Sequence, residues 1–368
     1  MIKDKCFTDE WLDQFKKQKK HKRIDKIILG KMIYAFHLLE RLKANGLDFV
    51  FKGGTSLLLL LKEGNRFSID IDIICRTERK ILEDILNTVI ETSHFKEWKL
   101  DEHRSYQPGI PKAHYKFSFD TRQQGSGTIF LDILIEDSIY PALVEMPVKT
   151  KWIETDAEIM VTVPAIDAII GDKLTAFAPN TIGIPYFKGK DKQPFSMEIC
   201  KQLFDLSTLF EHIEDFEIAA KSFKAFAEQE INYRKNSNPD CILTPDKVLQ
   251  DTIDTCLIIA KRGGGSDDEK QKFAELQRGI KAFHFSFLMS GNFRIDDAVA
   301  AAACVAYLAA KILANDMSPI DYYNGQDIKE MTIVNQDWIF LNKLKKHSDK
   351  SSFFYWYQTV QILTKAKA

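Results

Sequence analysis

Two carboxylates two residues apart are the clearest chemical feature of the sequence. Asp70 and Asp72 lie in the stretch Phe67–Cys75, whose alternating polarity and β-branched residues predict a strand, so both side chains should project from the same face. Two such carboxylates repel each other when unpaired, which raises at least one pKa, and a hard divalent cation removes that penalty. Mg²⁺ held by one or two carboxylates together with substrate phosphates is the expected pairing. The alternative is an edge strand whose polar face is simply solvated.

A glycine turn precedes this segment in the chain. Its sequence is Lys52-Gly53-Gly54-Thr55-Ser56, at a predicted strand-to-helix junction. Two glycines let backbone N–H groups approach a ligand closely, and the N-terminus of the following helix favours negative charge, so the turn is a candidate phosphate site. The hydroxyl of Thr55 or Ser56 could donate to a phosphate. A Walker loop is excluded because no Gly-Lys-Ser/Thr pattern follows, and a purely structural turn is the alternative.

A third acid, Asp132, stands alone among the apolar residues of a predicted strand, Thr128–Ile135. A carboxylate there needs a partner, which could be a metal shared with Asp70 and Asp72 or a lysine. Because one helix and one turn separate the glycine turn from Asp70, the turn and the carboxylates should lie at the same end of the sheet. Two metals on such acids would orient a nucleoside triphosphate (NTP), activate an acceptor hydroxyl and stabilise leaving pyrophosphate.

The elements that position these residues follow from periodicity. Helical spacing over residues 8–45 precedes a short strand at 47–51, and an apolar helix runs from Thr55 to Leu61 and closes at Gly64. The later elements are a strand at Phe67–Cys75, a helix at Arg79–Thr92, a hairpin of Tyr115–Phe119 with Thr128–Ile135, and short strands between Pro141 and Pro164. Helical patterns fill most of the remaining chain. We predict an α+β fold: a catalytic domain with a mixed sheet and N-terminal helices at 1–165, then a mostly helical domain at 166–368 with a linker at 262–268.

Composition bounds the class of protein. The chain has 368 residues and a net charge of −1, so it shows no overall attraction to nucleic acid or membrane, although the basic runs Lys16–Arg23 and Lys188–Lys192 could bind an anion. Its six cysteines are scattered without a C-x-x-C pair, which argues against a zinc site or a disulfide framework. The N-terminus has no signal-peptide pattern, and the longest apolar run, Ala298–Ala310, is too short to span a bilayer. We therefore expect a cytoplasmic protein with no membrane partner.

The motifs together resemble a known family. Lys52-Gly53-Gly54-Thr55-Ser56-Leu57 is similar to its K-G-G-S/T-x-L motif, and Arg66-Phe67-Ser68-Ile69-Asp70-Ile71-Asp72-Ile73 is similar to R-x-S-x-D-I/L-D-I/L. The family is that of the AbiEii/AbiGii nucleotidyltransferase toxins, from type IV toxin–antitoxin and abortive-infection systems, within the polymerase-beta-like superfamily. Lys173-Leu174-Thr175-Ala176 resembles a later K-L-x-A motif. Lys201-Gln202-Leu203-Phe204-Asp205-Leu206 resembles R-D-x-Y/F-D-L but departs from it at Lys201 and Gln202.

The resemblance implies roles for these residues and a reaction. It implies catalytic roles for Asp70, Asp72, Lys173 and Asp205. Asp132, nominated above from its place in an apolar strand, completes the candidate catalytic set, and Asp70, Asp72 and Asp132 would bind one or two Mg²⁺ ions. The implied nucleotide-binding residues are Lys52, Gly53, Gly54, Thr55, Ser56, Arg66, Ser68 and Lys173. The family implies transfer of a nucleotide from an NTP to RNA, particularly the tRNA acceptor end, and neutralisation by a cognate antitoxin protein. The alternatives are transfer to a protein or small-molecule hydroxyl, or a nucleotide-binding module without catalysis.

Overall fold

The structure of the protein, a computed structural model, describes residues 1–17, 24–61, 66–107, 109–121 and 125–367. It divides into two units. The first comprises Met1–Ala165 and Ser286–Gly291, and the second comprises Ile166–Phe285 and Asn292–Ala368. Residues 18–23 of the basic run Lys16–Arg23, the predicted helix end at Gly64 and residues 122–124 of the predicted hairpin turn lie outside the described residues.

A mixed eight-stranded sheet organises the first unit. Its strands are β1 (Val50–Lys52), β2 (Ile71–Ile74), β3 (Phe95–Leu100), β4 (Tyr106–Gln107), β5 (Ile110–Thr121), β6 (Gly125–Leu134), β7 (Leu143–Pro147) and β8 (Met160–Pro164). The order across the sheet is β3-β5-β6-β2-β1-β8-β7, with β4 paired to β5. The pairs β2/β6 and β1/β8 are parallel and the others are antiparallel.

Helices bury the apolar side chains of this sheet. They are α1 (Asp9–Lys16), α2 (Lys26–Ala44), α3 (Gly53–Leu60), α4 (Arg79–Thr92) and α5 (Glu102–Ser105), with a 3₁₀ helix at Asp4–Phe7. Helix α2 begins where the Asp25 side chain accepts a hydrogen bond from Ile27 N, and its Phe36 and Leu39 are fully buried in the same core as Leu131 of β6. Along β6, buried residues alternate with half-buried ones, so one face of the strand is left for polar side chains.

The second unit is mostly helical. Its helices are α6 (Ile166–Ala176), α7 (Ser196–Phe210), α8 (Phe216–Ser237), α9 (Pro245–Lys261), α10 (Asp267–Ser286), α11 (Ile295–Leu313) and α12 (Ser351–Lys367), with a 3₁₀ helix at Ile339–Lys346 and a hairpin of β9 (Phe187–Lys188) and β10 (Gln193–Pro194). The alanine-rich α11 is buried along most of its length and packs against α7, α9 and α12. Its N-cap is Arg294, whose backbone N–H donates to the Asp297 carboxylate at 2.7 Å.

The predicted α+β class is confirmed, with one strand shorter than expected. Strand β2 begins at Ile71, so Asp70 lies just before it. The preceding residues find other backbone partners, because Phe67 N donates to Phe287 O at 2.9 Å and Arg66 forms an isolated bridge with Leu288. This pairing places the segment Ser286–Gly291 in the first unit. The catalytic role predicted for residues 1–165, the nucleotide-site role of 166–368 and a flexible linker at 262–268 stay predictions.

Among the helices of the described ranges, none is both long enough and apolar enough to cross a bilayer.

Candidate active site

Four polar side chains form a row across the middle of the sheet. The strand register pairs Lys52 with Asp72, Asp72 with Asp132, and Asp132 with His114. Residues paired across neighbouring strands point to the same face, so all four side chains lie on the face opposite the buried Ile73. The register therefore brings together two of the predicted metal ligands, Asp72 and Asp132, and a lysine that the glycine turn contributes.

The glycine turn lies directly against Asp72. Gly53 has a φ of +76°, which a residue with a side chain rarely adopts, and a Cβ on it would stand 2.2 Å from Asp72 Oδ2. The backbone of the turn can approach the carboxylate this closely only because Gly53 has no side chain. The two sequence motifs thus form one site, as their spacing predicted.

Gly54 is fitted in the same way against the second motif. A Cβ on Gly54 would lie 2.4 Å from Arg66 Nη2 and 3.0 Å from Ser68 Oγ. Arg66 is 8% exposed, and its Nη1 donates to the carbonyl of Phe67 at 3.0 Å. The Arg66 guanidinium thus lies beside the N-terminus of α3, whose backbone N–H groups suit a phosphate group.

The hydroxyls of Thr55 and Ser56 have internal acceptors. Both residues are fully buried; Thr55 Oγ1 donates to the carbonyl of Asp70 at 2.6 Å, and Ser56 Oγ donates to the carbonyl of Gly53 at 2.8 Å. Thr55 thus ties α3 to the chain that enters β2. The backbone N–H groups at the start of α3, where Lys52 gives no side-chain cap, remain the donors best placed for a phosphate.

Asp132 has partners that the sequence analysis missed. His114 Nδ1 lies 2.5 Å from Asp132 Oδ1, and Arg104 Nη2 lies 3.8 Å from Oδ2. Arg104 also faces the ring of Phe130, with its Cζ 5.5 Å from the ring centroid. Neither contact has a local signal in the sequence, because His114 reaches Asp132 through the β5/β6 register.

A short helix holds both partners in place. Ser105, the last residue of α5, donates its Oγ proton to the carbonyl of Asp101 and accepts the backbone N–H of His114 at 2.9 Å. The adjacent Arg104 is therefore fixed next to β5. Asp101 forms an ion pair with Lys116 at 2.7 Å, and the hydrogen bond from Lys116 holds the pKa of Asp101 below its usual value.

The donor set suits a hard cation. Asp70, Asp72 and Asp132 offer only carboxylate oxygens, the ligand type that Mg²⁺ prefers. Within the described ranges, no three His, Cys, Asp or Glu side chains are gathered closely enough to form a ready-made cage. Mg²⁺ commonly takes one or two carboxylates and completes its shell with water and substrate phosphates, so an incomplete protein cage is compatible with it.

The remaining two predicted residues meet inside the second unit. Lys173 of α6 donates its Nζ protons to Asp205 Oδ2 at 2.6 Å and to Gln202 Oε1 at 3.1 Å, both on α7. Lys173 and Asp205 are both buried. Gln202 departs from the family pattern, but its side-chain oxygen still accepts a hydrogen bond from Lys173. The structure therefore joins the two later motifs as one buried polar contact.

A mixed sheet sets a glycine turn against paired acids, and the family match places the chain among the nucleotidyltransferases. Residues 37–283 match the model of the family described as nucleotidyl transferase AbiEii toxin of the type IV toxin–antitoxin system. The chain belongs to this family of toxins. The family implies a nucleotide substrate and an antitoxin partner.

Solved structures show weaker likenesses. The chain is similar to JHP933 from Helicobacter pylori at 18% identity, over 75% of this chain and 93% of that one, with a TM-score of 0.32. It is also similar to an antigenic nucleotidyltransferase-like protein from Paracoccidioides brasiliensis at 11% identity, over 57% of this chain and 89% of that one, with a TM-score of 0.36. Scores this low carry no argument about activity. The comparison with curated proteins finds no match.

Proposed function

We propose that the enzyme transfers a nucleotide from an NTP to RNA, with Mg²⁺ as cofactor and the acceptor end of tRNA as the substrate class. The observation that carries this proposal is the row of Lys52, Asp72 and Asp132 with the glycine turn packed against Asp72. The hydrogen-bond donors of the turn and the carboxylates of the sheet would then face the same substrate. That combination suits a triphosphate, whose charge must be neutralised while its α-phosphorus is attacked.

The turn and its neighbours would bind the triphosphate. Backbone N–H groups of α3 offer donors, and the cationic side chains of Lys52 and Arg66 lie next to the turn. Asp70, Asp72 and Asp132 would hold Mg²⁺, which supplies Lewis-acid stabilisation of the charge that develops on the phosphate oxygens.

Asp132 is the residue we assign to the acceptor hydroxyl. His114 engages its Oδ1, so Oδ2 is the atom that would hold the metal on which the acceptor hydroxyl is activated. His114 is then a positioning residue, because it fixes the rotamer of the carboxylate.

RNA is favoured as acceptor by the family resemblance and by exposed lysines. The β9/β10 hairpin presents Lys188, Lys190 and Lys192 to solvent, where they could contact a phosphate backbone. We further propose that the enzyme acts in the cytoplasm, that a cognate antitoxin neutralises it, and that it serves abortive infection.

The test is transfer of label from four α-labelled NTPs, one at a time, with Mg²⁺ and either total RNA or total protein. The variants are Asp72→Asn and, as a matched control, Asp48→Asn, whose side chain is 97% exposed in the same unit. We expect label in RNA with the wild type and with Asp48→Asn. Asp72→Asn should lower the rate at least about 100-fold while its circular dichroism spectrum is unchanged.

Three results would contradict parts of the proposal. Full activity in Asp72→Asn would remove the site assignment, and label in protein alone would replace RNA by a protein acceptor. Omission of Mg²⁺ with added EDTA should abolish the label, and activity that survives it would remove the metal from the proposal.

A further inference from the structure

A cavity lined by basic side chains lies wholly within the helical unit. It encloses about 600 Å³ between the turn that joins α9 to α10 and the 3₁₀ helix at Ile339–Lys346. Five basic side chains line it: Lys261, Arg262, Lys343, Lys346 and His347. No part of this cavity belongs to the row of acids or the glycine turn described above. The second wall, at 340–347, also lies beyond the residues that match the family model.

Two of these cations are neutralised and two are available. Lys261 pairs with Glu269 at 2.5 Å, and Arg262 pairs with Asp296 at 2.6 Å. Lys343 and Lys346 are exposed, and among the described residues no acid lies within ion-pair distance of either. Residues three apart on a 3₁₀ helix lie one above the other, so these two ammonium groups share one face.

Other lysines close to Lys343 and Lys346 are held by hydrogen bonds. Lys345 donates to the carbonyl of Lys329 at 3.0 Å, and Lys350 donates to the carbonyls of Lys345 and His347 at 2.8 and 2.9 Å. These two lysines anchor the 3₁₀ segment to the rest of the unit. The segment is therefore held firmly while it presents Lys343 and Lys346 outward.

His347 adds a buried polar atom without a hydrogen-bond partner. Its side chain is 9% exposed, and its Nε2 makes no well-directed hydrogen bond within the described residues, although it lies 3.4 Å from Asp296 Oδ1. Asp296 therefore lies between Arg262 and His347, and the cavity's positive charge that no acid of the described residues offsets comes from Lys343 and Lys346. The N-terminus of α10 is already capped, since Glu269 accepts the N–H of Ser266 at 2.8 Å, so the affinity must come from the side chains.

An aromatic ring accompanies the charges. Phe340 is half-buried in the cavity wall, and Lys261 Nζ lies 5.5 Å from its ring centroid. Basic side chains next to an aromatic surface suit a nucleic-acid strand, whose phosphates meet the ammonium groups while a base contacts the ring. The net charge of −1 leaves no general attraction to RNA, so binding depends on local patches of this kind.

We propose that this cavity binds the phosphate backbone of the RNA acceptor, with Lys343 and Lys346 as the contacting cations. The inference rests on the RNA acceptor of the proposed function. It adds a binding site that takes no part in the chemical step, and it gives residues 339–347 a role in holding substrate.

The test is the equilibrium binding of 5′-fluorescein-labelled bulk tRNA, followed by anisotropy between 50 and 300 mM KCl, without NTP. The test variant is Lys343→Glu/Lys346→Glu. The matched control, Lys221→Glu/Lys224→Glu, reverses two exposed lysines at the same spacing on α8. Thermal unfolding of both variants should match that of the wild type, because all four lysines are exposed. Lys343→Gln/Lys346→Gln is a second, milder variant, which removes the two charges without reversing them.

We expect the Kd of the test variant to rise at least about 10-fold, and the slope of log K against log salt to fall by about 2, one per lost phosphate contact. The control should change neither quantity. Equal Kd values and slopes for the test and control variants would overturn the inference, and so would a test variant that loses binding of inorganic tripolyphosphate while tRNA binding is unchanged. Label transfer to RNA is measured in a separate assay. If the test variant labels RNA and also binds tRNA normally, this inference is overturned and the proposed function is not.

Discussion

Lys173 and Asp205 place two opposite charges inside the second unit, 2.6 Å apart. Removal of one partner leaves the other charge buried and unpaired, which typically costs about 3–5 kcal/mol. We therefore expect Asp205→Ala to lower the free energy of unfolding by that amount in urea titrations. Lys221→Ala, which breaks the exposed Lys221–Glu217 pair, should change it by less than about 0.5 kcal/mol.

The double variant Lys173→Met/Asp205→Leu separates pairing from packing. Two apolar side chains of similar volume leave no buried charge, so most of the lost stability should return. A double variant that is less stable than Asp205→Ala would show that the site needs polar groups for another reason.

His37 makes stability depend on pH. It is fully buried, its Nε2 accepts the N–H of His94 at 3.4 Å, and its Nδ1 lies 2.9 Å from the Glu40 carboxylate. Burial lowers the pKa of His37 and outweighs Glu40, which raises it. The unfolded chain therefore binds a proton below about pH 6.5 that the folded chain does not, and stability falls as the pH falls.

This contribution can be measured by comparison with a variant. Between pH 6.5 and 5.5 the wild type should lose more unfolding free energy than His37→Gln, which cannot take up a proton, by at most about 1 kcal/mol. Urea unfolding at several pH values gives both slopes. Parallel slopes for the two proteins would show that His37 is not the group responsible.

The residues of the site could be predicted to different degrees. Asp70, Asp72 and the glycine turn stand in short motifs whose chemistry is local, so the sequence sufficed to nominate them. Asp132 was nominated too, but its partners His114 and Arg104 depend on strand register and on a short helix. Contacts of that kind arise from pairing between distant segments, which periodicity does not encode.

At the scale of elements, two glycines inside helices have opposite surroundings: one is closely packed and the other is not. A Cβ on Gly171 of α6 would stand 2.3 Å from the backbone N of Phe223 on α8, so these helices pack more closely than a side chain allows. A Cβ on Gly30 of α2 would meet only Leu12 Cδ1, at 3.7 Å. One glycine serves packing, and the other only lowers helix propensity.

Alanine at each position tests this difference. Gly171→Ala should destabilise the protein by about 1–3 kcal/mol because α6 and α8 must separate. Gly30→Ala should stabilise it by about 0.5–1 kcal/mol, since alanine loses less conformational freedom in a helix. Denaturant midpoints measure both, and destabilisation by Gly30→Ala would refute the open environment described for it.

Element boundaries show where the sequence was sufficient. The helix Arg79–Thr92 has an amphipathic pattern and was predicted with its observed ends. Strand β2 was predicted too long, because the stretch 67–70 looks like a strand, whereas the chain at Arg66 and Phe67 pairs with residues 287–288 instead. Its partner is far away in the chain, and local alternation cannot distinguish a strand from an extended segment with such a partner.

At the scale of the whole molecule, all six cysteines are free thiols and only Cys241 is not buried. Burial raises the pKa of the Cys200, Cys256 and Cys304 thiols, which further suppresses their reactivity. Iodoacetamide at pH 7.5 should therefore label about one thiol per folded chain and six after unfolding. Mass spectrometry of Cys241→Ser should show no rapid labelling, and rapid labelling of that variant would contradict the packing described.

The close approach of Gly53 to Asp72 has a genetic consequence. If expression of the enzyme arrests growth, survivors selected from a random library will carry inactivating changes, and codon 53 should recur among them as often as the codons for the acids. Every substitution there combines an unfavourable φ with a collision against Asp72 Oδ2. Codon 46 encodes a glycine of similar φ whose added Cβ would meet open space, and it should be recovered far less often.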